Sequence, residues 1–132
     1  MIVIYTDGAY SSSRDQGGWA YVVTENGEKI ASAFFPERNT TNNRMEILGA
    51  MEACSWAKAN GHPNVTIITD SMYVIGTMTK NWKRKKNVDL WVQFDEIVKD
   101  MNVTFEHVKG HAGNKYNELC DVLAVQASHC AN

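Results

Sequence analysis

The period of the apolar residues changes at Asn43, and that change limits what the chain can fold into. Up to Phe35 the apolar residues come in short β-branched and aromatic runs separated by turn chemistry. From Asn43 they recur at helical spacing. Met1 to Thr6 predicts a strand ending at Asp7-Gly8. A polar loop from Tyr10 to Gln16 leads through Gly17-Gly18 into a second strand, Trp19 to Thr24. Glu25-Asn26-Gly27-Glu28 carries the Asn-Gly hairpin signal, and Lys29 to Phe35 predicts a third strand. Then Ile47, Ala50, Met51, Cys54 and Ala57 form a helical stripe that stops at Asn60-Gly61, before Pro63. Val65 to Thr69 reads as a buried strand, with Asp70-Ser71 opening a short helix. Val88 to Met101 is helical and Val103 to Val108 a strand. Lys109 to Lys115 is a Gly-rich loop, and a last helix starts near Tyr116 and carries Leu119, Val122, Leu123 and Gln126. With neither repeat nor linker, residues 1–132 are expected to form one α/β domain. Its five-stranded mixed sheet has an antiparallel three-stranded meander plus two further strands, flanked by helices.

Composition closes off several classes. With 44% hydrophobic residues among 132, a real core is available. Four Trp, five Tyr and four Phe against two Pro exclude low-complexity disorder. No apolar run approaches the ~20 residues of a membrane span, and Met1 to Tyr5 is shorter than the ~7–15 residues of a signal-peptide core. Cys54, Cys120 and Cys130 are odd in number and form no Cys-x-x-Cys pair, so a reducing cytoplasm is expected. The formal charge of −2 argues against a generic nucleic-acid binder. Yet Lys80, Lys83, Arg84, Lys85 and Lys86 supply five of the thirteen basic residues within seven positions, leaving eight against fifteen acidic elsewhere. A mostly acidic body with one basic stretch can grip a polyanion locally.

Four carboxylates stand out by placement, although each has an ordinary structural explanation. Asp7-Gly8 is turn chemistry, Glu46 lies three residues after Asn43 as in a capping box, Asp70 suits a helix N-cap, and Asp121 suits a solvated helix face. If the first strand and the strand ending at Thr69 are neighbours, however, Asp7 and Asp70 reach the same sheet edge. Glu46 in the first turn of its helix lies close to that edge. Carboxylates forced together persist only with protons or cations among them, and hard divalent cations with oxygen ligands, Mg²⁺ above all, suit such a set. No His/Cys cluster points to zinc, and there is no Gly-x-x-x-x-Gly-Lys phosphate loop.

Six blocks occur in order: Thr6-Asp7-Gly8, Thr40-Thr41-Asn42-Asn43-Arg44-Met45-Glu46, Thr69-Asp70-Ser71-Met72-Tyr73-Val74, Lys86-Asn87-Val88-Asp89-Leu90-Trp91, Val108-Lys109-Gly110-His111-Ala112-Gly113 and Asn117-Glu118-Leu119-Cys120-Asp121. Together they resemble type 1 ribonuclease H, which cuts the RNA strand of an RNA–DNA hybrid, and the resemblance runs from Met1 to about Ala127. It implies an RNase H-like fold and a catalytic quartet of Asp7, Glu46, Asp70 and Asp121 holding two Mg²⁺ ions, with Mn²⁺ able to substitute. The implied reaction is in-line hydrolysis leaving 5′-phosphate and 3′-hydroxyl ends. His111 matches a loop histidine that assists proton transfer or product departure. Asn42 and Asn43 match asparagines that read the hybrid minor groove, where RNA displays its 2′-hydroxyls. Thr41 and Asn87 match a pocket for a DNA-strand phosphate, and Asn117 matches a residue at the site rim.

Three departures from the family pattern accompany the resemblance. Ala9 to Gln16 lacks a Gly-Asn-Pro-Gly, with Ser13 where Asn is usual, so RNA contacts from that loop are not carried over. The basic protrusion is cut down to Lys83-Arg84-Lys85-Lys86, which is expected to grip substrate phosphates. The chain stops at Asn132, so a compact stand-alone monomer with no obligate protein partner is expected. Two other readings remain open from sequence: another nuclease of this fold, such as a Holliday-junction resolvase, and a non-catalytic hybrid-binding module. The Thr-Thr-Asn-Asn-Arg-Met-Glu and Lys-Gly-His-Ala-Gly strings favour ribonuclease H over the first. Retention of the carboxylates and His111 argues against the second.

Overall fold

Asn26 and Gly27 both take positive φ, 51° and 85°, the pair of left-handed residues that a type I′ hairpin demands. In the computed structural model, which describes residues 1–108 and 114–130, this turn joins β2 (Gln16–Glu25) to β3 (Glu28–Arg38). β1 (Ile2–Ser11) pairs antiparallel with β2, completing the expected meander. There follow α1 (Asn42–Ala59), β4 (Asn64–Thr69), α2 (Met72–Thr79), α3 (Val88–Val98), β5 (Asn102–His107) and α4 (Lys115–Ser128). The sheet order is β3-β2-β1-β4-β5, with β4 parallel to both β1 and β5.

Alternation along β1 divides its side chains between two packed layers. Ile2 and Ile4 enter the larger core with Ile47, Ala50, Met51 and Cys54 of α1, Ile67 of β4, and Trp91 and Phe94 of α3. Tyr5 and Ala9 face the smaller cluster, formed by Ala20 and Val22 of β2 with Cys120 and Ala124 of α4. Each large apolar side chain fully buried this way contributes about 1.5–3 kcal/mol. Helices therefore cover both sheet faces, and α1 and α4 both lie against β1.

The order of elements matches the sequence reading, but several boundaries differ. β1 does not end at Asp7-Gly8: it runs four residues past Asp7 to Ser11, leaving only residues 12–15 as a loop. Turn propensity at Asp-Gly yields to ten consecutive pairings with β2. The cap of α1 is Thr41, whose Oγ1 accepts from the Arg44 N–H at 3.1 Å, so Glu46 is not part of a capping box built on Asn43. Ser71 rather than Asp70 caps α2, accepting from the Val74 N–H. Two carboxylates thus lose their structural explanation.

Candidate active site

The parallel register of β1 and β4 pairs Tyr5 with Ile68. Continued two residues, it sets Asp7 level with Asp70 at the end of β4. This edge lies where β1 is flanked by an antiparallel strand on one side and a parallel one on the other, the kind of switch point where α/β sheets bind ligands. Glu46 is brought to the same place by close backbone packing. A Cβ on Gly8 would lie 2.4 Å from the Met45 carbonyl carbon and 2.5 Å from the Glu46 nitrogen. Only glycine admits α1 so near the strand. Gly49, one turn on, sits against the Asp7 carbonyl in the same manner. The sequence reading missed both close approaches; for Gly8 the available signal was a glycine inside a strand pattern, whereas Gly49 lies within α1 and carried no such signal.

The result is three carboxylates, Asp7, Glu46 and Asp70, each offering an oxygen within 4.8 Å of the others. Asp7 and Glu46 are only 6% and 8% exposed. Burial, reinforced by Asp70 and by Asp121 alongside, pushes the Asp7 carboxyl up to about 8. Burial, then the charges of Asp7 and Asp70, pushes Glu46 up to about 10. The Gly8 N–H offers one compensation, donating to Asp7 Oδ1 at 2.9 Å. Glu46 Oε1 and Asp70 Oδ1 are buried without a hydrogen-bond partner, an arrangement that costs stability unless something positive sits between them. Oxygen-only donors with unspent lone pairs fit a hard divalent cation. The neighbouring Cys120 thiol does not join them, since it donates to the Tyr5 and Ala20 carbonyls and burial raises it well above the ordinary thiol range.

α4 supplies the fourth carboxylate. Asn114 caps it, accepting from the Tyr116 and Asn117 N–H groups. Asp121 lies one turn beyond Asn117 on the same helix face, next to Asp7, and Asn117 itself is buried. His111 lies outside the described residues.

A second group assembles beside the carboxylates. Asn43 of α1, Tyr73 of α2, and Lys83, Lys85, Lys86 and Asn87 line one cleft of about 200 Å³. Asn42 and Thr41 precede Asn43 at the exposed start of the same helix. Asn87 takes a left-handed φ of 59° and is fixed from both sides. Its Oδ1 accepts from Arg44 Nη1 at 3.2 Å, and its Nδ2 donates to the Tyr73 hydroxyl at 3.1 Å. Arg44 in turn forks onto Asp89 at 3.0 and 2.8 Å, and this pair holds the Asp89 carboxyl down at about 2. Arg84 goes elsewhere: its guanidinium pairs with Asp95 and lies over the Trp91 ring, 5.7 Å from the centroid. Trp82 packs against Gly76 of α2, where a Cβ would lie 2.3 Å from its ring. Within the basic run, then, three lysines face the cleft while Arg84 and Trp82 anchor the segment.

A buried carboxylate cluster at a sheet switch point, flanked by a basic cleft, defines an α/β protein whose site could hold a metal ion. The family model for RNase H matches residues 1–129. The chain is 40% identical to the ribonuclease H of Caldicellulosiruptor saccharolyticus over 93% of its own length and 92% of the relative's. It is 38% identical to ribonuclease HI of Synechocystis, over 96% and 86%. Among solved structures, the N-terminal RNase H domain of a Mycobacterium tuberculosis protein, fused to maltose-binding protein, superposes with a TM-score of 0.85 at 25% identity. That match covers 96% of this chain and 92% of the other. The chain belongs to the RNase H family, type 1.

Proposed function

We propose that this protein is an endoribonuclease that hydrolyses the RNA strand of RNA–DNA hybrids, leaving 5′-phosphate and 3′-hydroxyl ends. The observation that carries this reading is the convergence of Asp7, Glu46 and Asp70 with two buried, unpartnered oxygens, in a chain of this family. Asp7, Glu46, Asp70 and Asp121 would hold two Mg²⁺ ions, or Mn²⁺ in their place. Such ions supply Lewis acidity and charge neutralisation for an in-line displacement at phosphorus.

The protein's own groups prepare that chemistry. The Gly8 N–H fixes the Asp7 carboxylate, and packing of α1 on β1 fixes Glu46 opposite it. Holding these groups rigid and partly dry means that no reorganisation is needed when charge develops. Asn42 and Asn43 present amides to the minor groove of the hybrid, where 2′-hydroxyls distinguish RNA from DNA. Thr41 and Asn87 hold a DNA-strand phosphate, with Asn87 preset by Arg44 and Tyr73. Lys83, Lys85 and Lys86 add phosphate contacts that give affinity without sequence information. Asn117 positions groups at the rim beside Asp121, and His111 moves a proton at the departing product. Residues 1–132 act as one domain, as a cytoplasmic monomer needing no protein partner. Among the described residues no helix is long and apolar enough to cross a membrane.

The test is cleavage of end-labelled hybrid, double-stranded RNA, double-stranded DNA and a four-way junction, each with Mg²⁺ and with EDTA. The expected result is cutting of the RNA strand of the hybrid alone, and only with the cation. Cutting of the junction, or cutting in EDTA, would overturn the reading.

A further inference from the structure

Away from the lysine cleft, a second group of cations collects at the tip of the β1–β2 hairpin. Arg14 in the loop and Arg38 at the end of β3 line one cleft of about 320 Å³, together with Asp15, Gln16 and Asn39. Both arginines are exposed, and among the described residues neither lies within 4 Å of a carboxylate oxygen. The acidic wall residue is already engaged, since Asp15 Oδ1 accepts from the Tyr10 hydroxyl at 2.7 Å. Gln16 is engaged too, donating to the Cys130 carbonyl.

The cleft has a defined shape. Asp15 and Asn39 take left-handed φ values of 46° and 52° and so turn the chain sharply on either side of it. The rung Ser11–Gln16–Arg38 ties its two walls into the sheet. Two guanidinium groups against the single carboxylate of Asp15 leave this concavity with a net positive charge in a chain of net charge −2, a local field that favours an anion. Their planar forks match phosphate oxygens better than an ammonium would.

Location says which phosphate. The rung bearing Arg38 lies four residues beyond the one pairing Asp7 with Ala20, on the order of 13 Å along the strands. It sits at the same end of the sheet as the carboxylates. We infer that Arg14 and Arg38 form a phosphate clamp for the substrate backbone a few nucleotides from the hydrolysed bond, separate from the Lys83–Lys86 cleft. This rests on the hybrid-nuclease reading.

The experiment compares the parent with Arg14→Gln/Arg38→Gln on a long hybrid and on hybrids trimmed stepwise on each side of the cut, one strand at a time. Activity of the parent tests the nuclease reading. The difference between parent and variant tests the clamp. On the long hybrid the variant is expected to show a raised KM, an unchanged kcat, and a salt slope reduced by roughly 0.7–0.9, the contribution of one neutralised phosphate. Arg14→Lys/Arg38→Lys is expected to restore most of that slope. On hybrids trimmed short of the clamp, parent and double Gln variant are expected to converge, and the strand whose trimming causes this is the one held. An unchanged salt slope, or a defect that persists on every trimmed hybrid, overturns the inference.

Discussion

Asp70 carries the sharpest test at the level of single residues, because it raises both Asp7 and Glu46 and leaves one oxygen of its own unpartnered. Asp70→Asn keeps the shape and removes a charge. Cleavage is expected to fall by orders of magnitude, while Tm stays level or rises by roughly 3–5 °C, the shift that about 1 kcal/mol produces in a domain of this size. Steady-state kinetics and calorimetry check the two halves separately, and full activity in this variant would sink the metal-site assignment. The same cluster sets a pH dependence. The ordinary values of Asp7 and Glu46 are 3.8 and 4.5, and folding lifts them to about 8 and about 10. A carboxyl raised in this way costs the fold nothing below its unfolded value, and increasingly more as the pH climbs toward its folded one. Metal-free protein is therefore expected to lose stability from about pH 4 upward, through pH 8 for Asp7 and on toward pH 10 for Glu46, and Asp70→Asn to lose less. Thermal melts in EDTA across that range check it, with parallel curves for parent and variant as the contrary result.

At the scale of elements, the site depends on how closely α1 lies on β1. Gly8→Ala puts a methyl group into the Met45–Glu46 backbone, and neither main chain can yield as a side chain can. Such overpacking costs about 1–3 kcal/mol. It also displaces Glu46 from Asp7, so activity is expected to fall further than stability explains, as residual activity of the still-folded variant would reveal. The basic segment divides in the same spirit. Lys83→Ala/Lys85→Ala/Lys86→Ala is expected to raise KM and flatten the salt dependence by up to ~0.9 per contact. Arg84→Ala frees the segment from Asp95 and Trp91, so it is expected to lower Tm more than it alters the salt slope. The reverse pattern would mean that Arg84 reaches the substrate.

Taken as a whole, the molecule was legible from sequence wherever local pattern and tertiary need agree. The order of three strands, helix, strand, two helices, strand and helix follows from the switch in apolar period, and Asn26-Gly27 marks its hairpin unaided. Reading failed where a residue serves a distant neighbour. Asp7-Gly8 looks like a turn, because nothing local records that α1 must approach Gly8. Arg84 looks like its lysine neighbours, because its partner Asp95 lies eleven residues away on α3. The Arg44–Asn87–Tyr73 network joins three segments that only the fold brings together. Asp7, Asp70 and Glu46 were legible as a group because strand adjacency was foreseen, although Glu46 and Asp70 each looked like caps. What unites these elements is a carboxylate cluster, the proposed cation site, that the folded chain builds at a cost to itself. Its direct measurement is the Mg²⁺-dependent rise in Tm of the parent and of Asp70→Asn at pH 8, without nucleic acid. A ligand bound only by the folded state stabilises by about 2.7 kcal/mol at a hundredfold excess over its Kd, so the parent is expected to climb steadily with Mg²⁺ while the variant hardly moves. Equal climbs in both proteins, or none in the parent, would contradict a cation site built from these carboxylates.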